Sequence, residues 1–318
     1  MDRNCQLALE STCPAGAAAP ARGAAAALLA AQLLLATAGC STLSQRGPVP
    51  ESVAKCRELS QQSLTAMQQD DWARAETLLA QAIAASPSNV EARRHYAETL
   101  WKRGSQRAAV HQLEAILATD ADDPTLHVRA GEMYLAMRDY PRARRHAETA
   151  LGLDVDQGAA WALRGQIHRA EGDIRQALAD LHRALSHSPE DARLLLALAE
   201  LHRDSNQPQR ALATLEALAD VYPPGEQPPE VLYLRGVTYH ALARYDEAAE
   251  RLRAASLRGK PTTQILHALA DAEHRAGHPA AAAATLRRAL DLDPQHSPSL
   301  ALLEKLQLAT TAPQSIQR

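Results

Sequence analysis

Small residues recur at a fixed interval along this chain, and that interval limits its fold more than any other feature. Ser63, Ala97, Gly131, Gly165 and Ala199 lie 34 residues apart, and Gly236 and Ala270 continue the series after one step of 37. A second series keeps step with the first: Ala75, Ala109, Ala143, Ala177, Ala211, Ala248 and Ala282. The residue four places later is Leu79, Leu113, Ala147, Leu181, Leu215, Leu252 or Leu286. Pro87, Ala121, Val155, Pro189, Pro223, Lys260 and Pro294 close the frames. Such a period, kept over most of a chain, means one supersecondary unit copied end to end.

Gly158–Pro189 shows what the unit is. Trp161, Arg164, Gly165 and His168 are spaced three, four and seven apart and share one helical face. Gly172-Asp173 interrupts, as a glycine does where a helix ends on a left-handed residue. Ala177, Leu181, Ala184 and Leu185 then form the face of a second helix, and Ser188-Pro189 stops it. Gly165 and Ala177 are small where the two helices must approach closely. Gly104, Gly172, Asn206 and Gly277 mark the turns, and Trp72, Tyr140 and Tyr245 are expected to pack beside equivalent turns. Phenylalanine is absent and aromatics make up only 3%, so the core has to be built from leucine and alanine.

The frame resembles the tetratricopeptide repeat pattern, with seven repeats over roughly Cys56–Pro294. That resemblance implies an all-α fold, a right-handed α-solenoid of seven helix pairs plus a C-terminal capping helix. The expected organisation has a signal at residues 1–39 and a lipidated N-terminus and tether at 40–50. The solenoid follows at 51–294, the capping helix at 295–308 and a disordered tail at 309–318. In the cap, Leu300, Leu303 and Leu306–Leu308 are expected to cover the last repeat, with Glu304 and Lys305 in water. Pro223–Pro229 holds the three inserted residues and reads as an elongated surface turn.

Residues 23–39, GAAAALLAAQLLLATAG, are uncharged and apolar. They fall short of the roughly 20 residues that span a bilayer. Arg22 before them and Ala38-Gly39 after them give the three-part form of a secretory signal. Ala36-Thr37-Ala38-Gly39-Cys40 resembles the lipobox of bacterial lipoproteins, with Thr37 where that motif prefers leucine. The resemblance implies that Cys40 is acylated and becomes the mature N-terminus, held at the membrane by more than one acyl chain. Ser41 at the second mature position goes, in Gram-negative lipoproteins, with outer-membrane sorting facing the periplasm. An uncleaved weak anchor and an alanine-rich disordered leader are the alternatives. With Cys5 and Cys13 in the leader and Cys40 acylated, Cys56 is left without an intramolecular disulfide partner.

No motif carries catalysis. GxxxxGK[ST], GxSxG, HExxH and CxxC are missing. His202-Arg203-Asp204 lacks the asparagine of a kinase catalytic loop, and Asp120–Asp123 lacks the glycine and glutamate of a calcium loop. A formal net charge of −3 gives no basic footprint for nucleic acid. The chain is therefore expected to be non-catalytic, without cofactor, binding a protein partner as a peptide or helix and meeting the membrane only through its anchor.

In the family the chain resembles, first helices line a concave groove. Carried over residue by residue, that frame makes Arg94, Glu98, Trp101, Arg169, Arg193, Arg203, Tyr233, His240, His267 and His274 candidate partner-binding residues. Tryptophan, tyrosine and arginine are the types that dominate interface energetics. Each also has a structural reading: packing for Trp101, a salt-bridged surface for the arginines. The Lys/Asn set of carboxylate-clamp repeats is not reproduced. Two alternatives remain, a soluble cytoplasmic adaptor and a periplasmic metal- or ligand-binding protein in which His240, His267 and His274 converge.

Overall fold

The computed structural model describes residues 50–311, with side chains through 308. The signal, Cys40, all of the tether but Pro50, and residues 312–318 lie outside the described residues. The chain divides into Met1–Lys55 and Cys56–Arg318. Of the former only Pro50 and the opening of the first helix are described, where Val53 and Ala54 donate to the Pro50 carbonyl.

The described residues form fifteen helices and no strand. Repeat one pairs α1 (Glu51–Gln68) with α2 (Trp72–Ala85), and repeat two α3 (Val90–Lys102) with α4 (Gln106–Leu117). Repeat three is α5 (Pro124–Ala136) and α6 (Tyr140–Leu153), and repeat four α7 (Gly158–Glu171) and α8 (Ile174–His187). Repeat five is α9 (Ala192–Asp204) and α10 (Pro208–Asp220), and repeat six α11 (Pro229–Ala241) and α12 (Tyr245–Arg258). Repeat seven is α13 (Thr263–Arg275) and α14 (Pro279–Leu292), capped by α15 (Ser297–Thr311). From α2 onward each helix packs on the next in sequence, and α5 with α7, α11 with α13, and α13 with α15 also touch. This is the expected α-solenoid of helix pairs plus a capping helix.

Close approach inside each pair follows from the two small-residue series. Every member is buried, from Ser63 to Ala270 in the first helices and from Ala75 to Ala282 in the second. A Cβ on Gly165 would lie 2.9 Å from Leu181 Cγ and 3.3 Å from the Ala177 carbonyl oxygen. At Gly131 it would meet the Ala143 carbonyl oxygen at 3.3 Å within the pair and Leu163 Cδ2 of the next repeat at 2.5 Å, and at Gly236 it would meet Leu252 Cγ at 2.5 Å. Leu79, Leu113, Leu181, Leu215, Leu252 and Leu286 fill the space thus left, each at most 1% exposed. Burying one such side chain contributes roughly 1.5–3 kcal/mol.

The turn inside every repeat has one geometry. Asp70, Gly104, Arg138, Gly172, Asn206, Ala243 and Gly277 all adopt φ between 56° and 86°. The next residue's N–H bonds the carbonyl five back, as Asp173 does to His168 at 2.9 Å. That bond closes a Schellman C-cap. Asp71, Asp139 and Asp173, just past three of these turns, accept a backbone N–H and cap the second helix.

Charge is also buried in the stack. Asp180 is 3% exposed and takes two 2.8 Å hydrogen bonds from Arg164. Arg164 and Arg183 lie over the Trp161 ring at 4.4 and 4.6 Å, and Trp161 Nε1 donates to the Val155 carbonyl. Glu273, also 3% exposed, is held by Arg253 and Thr285 at 2.8 Å. Cys56 is a packed thiol against Ala82 and Ala92. Trp72, Tyr140 and Tyr245 are half-buried.

The cap differs from expectation. It runs from 297 to 311, three residues into the anticipated tail. Leu306 is buried and Leu302 and Leu303 partly so, whereas Leu300 and Leu308 stay exposed. Ser299 takes the buried place instead, bonded to His296 and His267, so the helix is rotated toward those rings. Glu304 and Lys305 are exposed, as expected.

Candidate functional site

The first helices α3, α5, α7, α9, α11 and α13 present a row of polar side chains, and contacts 31 residues apart join one repeat to the next. Glu98 accepts two 2.6 Å hydrogen bonds from Arg129. Arg169 donates to Glu200 at 2.9 Å, and Gln264 donates to the Tyr233 hydroxyl at 2.9 Å. His240 Nε2 lies 2.6 Å from Asp271 Oδ2, a close contact not aligned as a hydrogen bond. The 31-residue step is one repeat less about one helical turn, so it brings together neighbouring positions on successive first helices.

The series breaks at Glu132. Its position 31 later is Leu163, which has no donor, so Glu132 turns to Arg129 on its own helix at 2.8 Å. There the row opens into a cleft of about 450 Å³ across α5, α7 and α9. Leu163, Ala162 and Leu194 line it beside Glu132, Gln166 and Arg193. Arg193 is 91% exposed and bonded to Asp191, the N-cap of α9. Burial pulls the Asp191 pKa up, but hydrogen bonds from the Arg193 side chain and backbone outweigh it and hold the carboxyl below its ordinary value.

The other candidates fall as follows. Arg94 is exposed. Trp101 is half-buried against the core of repeats two to four, so packing engages much of the ring. Arg203 bonds its neighbour Asp204, which Arg169 also approaches at 3.5 Å. His267 turns to Ser299 and the His296 ring, while His274 lies in the last turn of α13. His240 thus meets Asp271, while the hydrogen bond of His267 goes to Ser299. Among the described residues no three His, Cys, Asp or Glu side chains are grouped to hold a metal.

A polar cluster that periodicity does not reveal lies between α4, α5 and α6. His127 and His146, each 8% exposed, meet Nδ1 to Nδ1 at 3.0 Å. His127 Nε2 faces the Ala121 carbonyl at 3.0 Å, and His146 Nε2 faces Glu114 Oε1 at 3.2 Å. Tyr134 donates to the same Glu114 oxygen at 2.9 Å and stacks on His146. Arg142 and Arg145 complete the rim. Burial lowers the His146 pKa, against the opposing pull of Glu114. Burial and the Glu114 bond raise that of Tyr134. A 19-residue separation joins the two helices of one repeat, a relation that no single-helix pattern displays.

Two sequence profiles, both described as tetratricopeptide repeat, match residues 66–127 and 168–227 and residues 128–174 and 233–297. Together they take in well over half of the chain, in the frame set by the buried small residues. The chain belongs to the tetratricopeptide repeat family. No curated protein sequence matches it. Solved structures share the fold of this tetratricopeptide repeat protein. One is a tetratricopeptide repeat protein from Parabacteroides merdae, at TM-score 0.56 and 15% identity, covering 80% of this chain and 99% of that one. PilW, described as a widely conserved type IV pilus biogenesis factor, aligns at TM-score 0.58 and 17% identity over 64% of this chain and 93% of its own. YrrB, described as having an unusual peptide-binding site, aligns at TM-score 0.55 and 17% identity over 60% of this chain and 97% of its own.

Proposed function

We propose that this tetratricopeptide repeat protein is a non-catalytic scaffold, tethered to a bacterial envelope membrane through an acylated Cys40. It docks a protein partner on the face of its first helices. The observation that carries the docking reading is the cleft across α5, α7 and α9, where the pairing of Glu132 with the next repeat lapses and apolar and polar side chains stand side by side. An extended peptide or a helix fits such a surface, and tethering raises its local concentration at the membrane. The order of apolar run, small residues, cysteine and serine supports the anchor and an outer-membrane location facing the periplasm. No helix among the described residues is long and apolar enough to cross a membrane, so an anchor would have to come from elsewhere in the chain. The fold of PilW, a pilus biogenesis factor, is compatible with a role in assembling an envelope complex such as pilus, secretion or cell-wall machinery.

The anchor and the groove are tested separately. Radiolabelled fatty acid and membrane fractionation compare wild type with Cys40→Ser, and both label and membrane association are expected to depend on Cys40. An unlabelled, soluble wild type removes the anchor. Proteins that co-purify with the full chain from solubilised cells are compared with those held by Ala162→Leu, which fills the cleft. A partner retained at wild-type level contradicts docking there.

A further inference from the structure

The cleft is created at one repeat. Its floor is Ala159 and Ala162 on α7. The equivalent pairs are Arg57 and Ser60, Glu91 and Arg94, Thr125 and Val128, Arg193 and Leu196, Glu230 and Tyr233, and Gln264 and His267. Only repeat four places alanine at both positions. The deletion of bulk there opens a notch between the flanking first helices, with the buried Leu163 and Leu194 packed beneath it.

The charge around the notch is unbalanced. Glu132 and Glu98 share the single guanidinium of Arg129, which leaves that group one negative charge. Asp191 pairs with Arg193, which Glu132 also attracts, and His187 lines the same cleft. Asp156, exposed at the mouth, adds a second negative charge. A small apolar floor under an acidic rim is the complement of a long aliphatic stem carrying a cation. Aspartate or glutamate would meet like charge, and a purely apolar side chain would leave the rim unused.

We propose that the repeat-four notch seats one arginine or lysine side chain of an extended partner segment, its stem on Ala159 and Ala162 and its charged head against Glu132 and Asp156. This rests on the docking reading above and specifies the partner chemistry it requires. The exposed amide of Gln166 stands beside the notch, placed to bond the segment's backbone.

The test is selection of a phage-displayed library of random dodecapeptides against the full chain, followed by titration of synthetic peptides from the enriched set. Enriched sequences are expected to share an arginine or lysine at one position, and its replacement by alanine to weaken binding at least tenfold. Ala162→Leu is expected to weaken binding by a similar factor. So is the double variant Glu132→Lys with Asp156→Lys, whose side chains are exposed and whose folding is checked by circular dichroism; Arg288→Glu on α14 leaves binding unchanged. No enrichment, a consensus without a cation, or full binding by the double variant overturns the proposal. A protein partner crosslinked from Gln166 without any cationic consensus overturns the notch and leaves the groove reading standing. Loss of both overturns both.

Discussion

Glu98 and Arg129 meet through two 2.6 Å hydrogen bonds across the junction of repeats two and three. Glu98 is one of the side chains that a repeat-by-repeat frame assigns to a partner, yet the next repeat already engages it. Arg169 is engaged likewise by Glu200. Part of the charge on the first-helix face therefore joins the repeats.

Burial separates ion pairs of small and large effect. Arg129 and Glu98 are each about one-third exposed, so Glu98→Gln is expected to cost about 1 kcal/mol or less and to matter less still in high salt. Arg164→Leu leaves the buried carboxylate of Asp180 with only the His168 ring, at 3.6 Å, and removes one guanidinium from the Trp161 ring. It is expected to cost about 3–5 kcal/mol. Denaturant melts of the two variants check the contrast, and equal losses would contradict it.

Left-handed turns at non-glycine residues hold removable strain. Ala243 sits at φ 57° and Arg138 at φ 61°, in the register where Gly104, Gly172 and Gly277 have open space around a would-be Cβ. Ala243→Gly is expected to stabilise the chain by roughly 1 kcal/mol and Gly172→Ala to destabilise it by a similar amount. Thermal melts of the two variants read the opposite signs directly.

The interlock of Gly236 with Leu252 is the tightest kind in the stack. A Cβ there would press on Leu252 Cγ and Cδ2 at 2.5 and 2.9 Å and on the Leu252 backbone nitrogen at 3.2 Å. Gly236→Val is expected to cost at least about 2 kcal/mol through overpacking, and Gly236→Val with Leu252→Ala to regain part of that. A double-mutant cycle in urea measures the coupling, and simple additivity would refute the interlock.

Acid should weaken the fold through buried histidines. Burial lowers the pKa of His146, His202 and His267, the last with help from His296. Between each lowered value and the unfolded value of about 6.5, the unfolded chain binds more protons than the folded one. Stability is thus full above about pH 6.5 and lost as pH falls through that window. Tm is expected to drop from pH 7.5 to pH 5, and His202→Gln to flatten part of the slope. A Tm that rises in acid would contradict the assignment.

The helix pairs were legible because their constraint is local: a small residue, a partner twelve later and a leucine four beyond that survive any detail of packing. Turn geometry was legible where glycine or asparagine stood, and at Asp70, Arg138 and Ala243 only through register, since residue type argues against positive φ. The pairing of Glu98 with Arg129 was hidden because it depends on how far one repeat is displaced along the next. For the same reason His127 and His146 gave no signal, nor did the rotation of the cap that exposes Leu300. The cleft was written in Ala159 and Ala162, but alanine in an alanine-rich chain draws no notice until its neighbours are in place.

The most direct measurement is photo-crosslinking in cells with p-benzoylphenylalanine in place of Gln166, which lines the cleft, beside the same probe in place of Arg288, exposed on α14. The account predicts a discrete protein adduct from Gln166 and none from Arg288. Adducts from Arg288 alone, or the same adducts from both positions, would contradict docking on the first-helix face.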